Sequence, residues 1–290
     1  MGQRIYGLDF TSAPNKSKPL TLAVCDFEGA TLLLREFASL VGTKKNPFEP
    51  FVKWLETPGP WIAGIDFPFG QPIGLIDELQ WPPTWPEYVA HVQTLGRKNF
   101  ETVLKEYKRV KPDGKKELCR TTDEKAQARS PMKLANPPVG KMFFEGATRL
   151  LESQASIKPV RPIPEEARIV VEAYPALVAR KWIGKKQGYK NDDKKKWDDD
   201  MRYARCDIVH AIRGKTKNEC RKSVQDRYGL TIEMTDAAAE VCVKDDTGDL
   251  LDSVLCAVQA AWAWCQRTNN YGIPQAVNSL EGWIVDPGLL

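Results

Sequence analysis

The chain has 290 residues, 42% hydrophobic and 28% charged, with a net charge of +4, a size and mix that suit a packed core of one large domain or two modest ones. No uncharged window approaches the roughly 20 residues of a membrane span, and the N-terminal stretch, with Arg4 and Asp9, lacks the apolar segment of a signal peptide. Seven cysteines with no C-x-x-C pair, and only His91 and His210, argue for reduced thiols in a cytoplasmic protein and against a zinc site, so any metal should be hard and held by carboxylates.

In chain order, I-Y-G-L-D-F, L-T-L-A-V-C-D-F and A-T-L-L-L-R-E-F are β-like runs parted by turn-rich segments, which predicts three antiparallel hairpin strands. N-P-F-E-P-F-V-K-W-L-E carries Phe48, Phe51, Val52 and Leu55 at helical spacing and leads into W-I-A-G-I-D-F, a fourth strand reached by a parallel crossover. Proline then interrupts regular structure until Thr84 and Glu87, spaced as a capping box, open a helix running past Tyr107. The stretch from about 68 to 164 is long, charged and helical, with an irregular centre at P-D-G-K-K, and reads as an insertion beside the sheet that forms a wall or lid.

A-R-I-V-V-E supplies a fifth strand through Ile169, Val170 and Val171. A second mainly helical insertion, about 185–240, covers the charged stretch from Lys185 to Arg227. The run D-D-T-G-D-L-L-D-S-V-L-C-A-V-Q-A-A-W-A-W-C predicts a buried final helix, capped by Asp246 or Thr247, with Asp249 in the first turn, where the helix dipole favours negative charge.

Three of these strands end on an acid: Asp9, Asp66 and Glu172. Asp252 lies past the capping positions of a helix with few polar residues, where capping does not explain it. Strand ends are where sites form in α/β sheets. Carboxylates gathered there repel one another and lose hydration at roughly several kcal/mol per ion, so they require positive charge, most simply Mg²⁺ or Mn²⁺. Two ions roughly 4 Å apart can activate a water and stabilise the leaving oxygen of a phosphodiester. In that scheme Asp9 bridges, Asp66 and Glu172 hold one ion each, and Asp252 completes the shell. Basic residues bunched in K-E-Y-K-R-V-K-P-D-G-K-K and in R-K-W-I-G-K-K-Q-G-Y-K-N-D-D-K-K-K-W suit a nucleic-acid partner, although the interspersed acids equally fit a solvated face.

The order of elements and the acids resemble the ribonuclease H-like fold: an α/β, mixed five-stranded sheet flanked by helices, here one domain over 1–290 with the two insertions. The motifs G-L-D-F, G-I-D-F-P-F-G, V-V-E-A-Y-P, L-L-D-S-V-L-C-A and E-G-W-I-V-D-P resemble, in order, those of the family called domain of unknown function 429, regarded as predicted ribonuclease H-like nucleases. That resemblance implies a metal-dependent nuclease whose acidic site is Asp9, Asp66, Glu172 and Asp252. It also sets R-T-T-D, Arg120 to Asp123, against a less regular family motif, with Arg120 contacting a phosphate. Thr11 and Ser12, in D-F-T-S, offer hydroxyls to substrate beside Asp9.

Two rival readings share the fold. One is a phosphotransferase or ATPase of the actin and sugar-kinase type, which also starts from a strand ending in Asp but lacks its glycine-rich phosphate loops here; the other is a non-catalytic module that binds nucleic acid or protein. Cys206 and His210, four apart on a predicted helix, form a weaker nucleophile candidate, and Trp85 and Trp182 are candidates for stacking on bases. Glu281 and Asp286, in the closing motif, read as structural turn residues.

Overall fold

A computed structural model describes residues 2–215 and 223–290. The three hairpin strands form as expected: β1 (Gln3–Asp9), β2 (Leu20–Glu28) and β3 (Thr31–Leu40) pair antiparallel in succession. Helix α1 (Glu49–Leu55) buries Phe51, Trp54 and Leu55 and returns the chain to β4 (Trp61–Ile65), which runs parallel to β1. Helices α2 (Ile73–Glu78), α3 (Trp85–Arg109), α4 (Thr121–Ala126) and α5 (Val139–Glu152) follow, then the edge strand β5 (Ser156–Lys158) and the inner strand β6 (Arg168–Glu172). The rest comprises α6 (Pro175–Ile183), α7 (Asp199–Ile212), α8 (Val224–Tyr228), strand β7 (Thr231–Glu233), α9 (Asp236–Lys244) and α10 (Asp249–Cys265).

The sheet is mixed and mostly parallel, with seven strands in the order β5-β6-β4-β1-β2-β3-β7. The five expected strands are contiguous at its centre, and the expected count of five is corrected by one short strand at each edge. Both additions come from segments read as insertions, so the 68–164 stretch is not wholly beside the sheet. S-I-K and T-I-E are three residues each, too short for alternation to mark them as strands. The part of the second insertion at 216–222 lies outside the described residues.

Two cores flank the sheet. One face, from Ile5, Ala23, Ile62 and Val171, packs under α10, α6, α7 and α9; the other, from Leu8, Val24, Ile65 and Val170, packs under α1, α3 and α5. Trp85 and Trp182 belong to these cores, at 1% and 4% exposure, and are corrected from stacking candidates to packing residues. The Trp85 indole N–H donates to the Phe69 carbonyl at 2.6 Å.

Helix α10 lies directly on the sheet because two central strands carry glycine where it crosses. A methyl group at Gly7 would stand 2.0 Å from the Ser253 carbonyl oxygen, and one at Gly64 would stand 2.4 Å from that of Cys256. Gly64→Ala therefore pushes against backbone that cannot rotate away, and we expect it to cost at least about 3 kcal/mol in chemical denaturation. A variant as stable as the parent would show that the helix is not seated on these glycines.

Candidate metal centre

Gly7 pairs with Gly64 and Leu8 with Ile65, and the Asp66 N–H donates to the Leu8 carbonyl at 3.0 Å, so Asp9 and Asp66 emerge side by side from adjacent parallel strands. Because side chains alternate along a strand, both acids share the face of the two glycines, the face that α10 covers. The same close approach that needs glycine brings in Asp252 from the first turn of α10. One carboxylate oxygen from each of Asp9, Asp66 and Asp252 lies within 4.8 Å of the others, a group that can hold a metal ion.

Their surroundings differ. Asp252, fully buried, accepts the Tyr189 hydroxyl at 2.7 Å on Oδ1 and the Lys190 ammonium on Oδ2. Among the described residues no hydrogen-bond donor reaches the carboxylates of Asp9 or Asp66; burial and neighbouring charges alone act on them. Burial pushes the Asp9 carboxyl well above the ordinary 3.8, with Asp249, Asp252 and Asp66 adding to the rise and Lys190 opposing it. Burial likewise lifts Asp66 to about 7, against the pull of Lys190. Asp9 is buried and Asp66 half-buried, their oxygens are free of protein donors among the described residues, and oxygen-only ligands of this kind suit Mg²⁺ or Mn²⁺. Cys256 is not part of the gathered group, and burial, with the charges of Asp66, Asp9 and Asp252, drives its thiol well above the ordinary range.

A family model described as protein of unknown function (DUF429) matches residues 7–276. The chain belongs to the DUF429 family. Comparison with curated proteins and with solved structures gives no match.

In this DUF429 chain the fourth expected acid departs from the group. Glu172 pairs in register with Ile65, not with Gly64, so its side chain leaves the opposite face of the sheet from Asp66. There Arg120 holds it, with guanidinium to carboxylate contacts of 2.6 and 2.8 Å, and the Phe69 N–H donates to Oε2 at 2.9 Å. Burial raises the Glu172 carboxyl and Arg120 lowers it. Arg120 was expected to meet a phosphate. Instead all five of its N–H donors are engaged: two with Glu172, two with Asp123 and one with the Glu281 carbonyl. Glu281 accepts the Ile73 and Thr121 N–H groups, and Asp286 accepts the Lys181 ammonium and the Tyr228 hydroxyl, so both acids of the closing motif tie segments together.

Thr11 and Ser12 do not reach the three aspartates' cleft. Thr11 Oγ1 accepts the Ala13 N–H at 3.5 Å, while Ser12 lines a separate cleft of about 810 Å³ with Lys16, Lys44, Arg97 and Arg149. The cleft at the aspartates, about 240 Å³, is walled by Phe67, Pro68, Met142 and Tyr174, with Arg129 at its rim and Asp66, Asp252, Glu172 and Lys190 lining it. Cys206 Sγ stands 3.9 Å from both ring nitrogens of His210 on α7, and the pair lines neither cleft.

Sequence reading missed Tyr189 and Lys190, two residues inside a lysine-rich run where nothing marks one lysine from the next. It also gave Asp249 to capping. Gly248 occupies the N-cap with φ 72°, the Asp245 carboxylate accepts the Leu250 N–H at 2.9 Å, and of the two expected caps Thr247 takes part, its hydroxyl accepting the Asp249 N–H at 3.4 Å, while Asp246 does not. Asp249 is 6% exposed and close enough to Asp9 to raise its carboxyl. Asp246 pairs with Arg205.

Proposed function

We propose that the chain is a divalent-metal-dependent nuclease on a ribonuclease H-like sheet, with Asp9, Asp66 and Asp252 as the ligands. The observation that carries this reading is the pair of donorless carboxylates, those of buried Asp9 and half-buried Asp66, facing Asp252 at the ends of adjacent strands. The sheet supports the fold: three hairpin strands, then parallel strands added beside β1, with the final helix across them.

A bound Mg²⁺ or Mn²⁺ supplies a Lewis acid that makes water a nucleophile near neutral pH and stabilises charge on phosphoryl oxygens. Asp9 and Asp66 would hold it with the oxygens that the protein leaves free. Tyr189 fixes the rotamer of Asp252 by donating to one of its oxygens. The apolar wall of Phe67, Pro68, Met142 and Tyr174 admits the group next to the scissile phosphate while limiting water, and Arg129 at the rim offers a cation to the backbone. The separate cleft bearing Lys16 and Lys44 opens from the loop that follows Asp9 and suits the continuing phosphate chain.

Cytoplasmic location remains part of this proposal; among the described residues no helix is long and apolar enough to cross a membrane. The test is incubation of the protein with labelled single- and double-stranded DNA, RNA and hybrid, with Mg²⁺, Mn²⁺ or chelator. Metal-dependent cleavage should fall at least about 100-fold in Asp9→Asn. Cleavage that persists in that variant would refute the assignment.

A further inference from the structure

The sequence suggests two ions, and the contacts within the aspartate triad suggest one. Glu172 borders the same cleft but shares Arg120 with Asp123, and Asp9, Asp66 and Asp252 are the acids whose oxygens gather within 4.8 Å of one another. Three carboxylates carry three negative charges, and the Lys190 ammonium, in contact with Asp252, removes one. Within that triad, what remains is the charge of a single divalent ion.

Geometry agrees with this count. Both oxygens of Asp252 already have protein donors, Tyr189 on one and Lys190 on the other, whereas Asp9 and Asp66 have none among the described residues. The free ligand oxygens are therefore those of Asp9 and Asp66, and a cation already rests on Asp252, near enough to act on the other two acids. Lys190 is held there by its own chain. The carbonyl of the preceding Tyr189 accepts the Arg205 guanidinium at 2.8 Å, Arg205 is fully buried, and Lys18 pairs with Asp192 two residues on. The Lys190 stem also lies over Gly248, where a methyl group would stand 2.8 Å from its Cβ. Asp249, a further acid nearby, faces Lys18 as well as Lys190.

We propose that Lys190 is a tethered cation that takes the place of a second metal ion, so that the chain binds one divalent ion at Asp9 and Asp66 with the ammonium resting on Asp252. This deepens the nuclease reading and rests on its metal site. Lys190 then acts as a positioning residue, fixing Asp252 and setting the number of ions, at a point where like charge would repel a second one.

Titration calorimetry with Mn²⁺ on the full chain, checked by electron paramagnetic resonance of free Mn²⁺, reads this directly. The parent and Lys190→Arg should each bind one ion per chain. Lys190→Gln, with the competing charge removed, should bind Mn²⁺ at least about tenfold tighter or acquire a second ion. Two ions in the parent, or a Lys190→Gln variant with one ion at unchanged or weaker affinity, would overturn the role of Lys190 and leave the metal site standing. No Mn²⁺ binding in the parent would overturn both. Lys190→Arg guards against misfolding of the glutamine variant: a second ion bound by Lys190→Arg likewise contradicts the proposal.

Discussion

Arg120→Met should lower stability by about 3–5 kcal/mol, a fall in melting temperature on the order of 10 °C. Arg120 is 1% exposed and sits between two carboxylates, Glu172 and Asp123, each 2% exposed. Methionine fills much of the same volume, so the loss does not come from a void. It comes from two acids left in a sealed environment without their cation, and from a backbone carbonyl, that of Glu281, left without its donor. Adding Glu172→Gln in the Arg120→Met background should recover part of the loss, because it removes one of the stranded charges. Thermal unfolding of the two variants beside the parent checks this. A phosphate-binding arginine held in reserve would behave differently: its removal would weaken substrate binding and barely move the melting temperature.

Asp66→Asn should act in opposite directions with and without metal. The Asp66 carboxyl is raised from 3.8 to about 7 in the folded chain. A raised value means that the folded protein keeps a proton that the unfolded chain has lost. The stability tied to that proton is complete below about 3.8 and disappears as pH rises through about 7. Without metal, the parent should therefore lose stability between pH 5 and pH 8, and the neutral asparagine should flatten that slope and melt about 5 °C higher at pH 8. With millimolar Mn²⁺ the order reverses. The parent gains stability by mass action, about 2.7 kcal/mol at a hundredfold excess over Kd, while the variant has lost a ligand and gains little. Scanning calorimetry at the two pH values, with chelator and with Mn²⁺, separates these cases. A parent whose melting temperature ignores both pH and Mn²⁺ would contradict the reading of this acid as a ligand.

The strand-end acids were legible in the sequence because apolar runs of strand length ended on them, and because the final helix carried an acid that capping did not explain. The glycines two residues before Asp9 and Asp66 were visible too, but their reason was not: only the crossing of α10 over β1 and β4 shows that G-x-D places a close helix approach and an acid on one face. Glu172 was grouped with the others because a strand end is visible in sequence while the phase of its side chain is not. One residue of register separates the metal face from the Arg120 face, and long-range pairing fixes that register. Lys190 was hidden for a different reason. Its role depends on contacts with Asp252, sixty-two positions away, and a lysine in a run of lysines carries no local mark of such a partner.

Mn²⁺ is visible by its anomalous X-ray scattering, and a crystal of the protein grown with it would locate the ion without reference to any activity. A single peak should lie between the carboxylates of Asp9 and Asp66, within reach of Asp252, and should vanish in Asp66→Asn. A crystal in which those carboxylates bind no ion, or in which the ion sits elsewhere, would contradict the metal centre and every chemical role assigned to it.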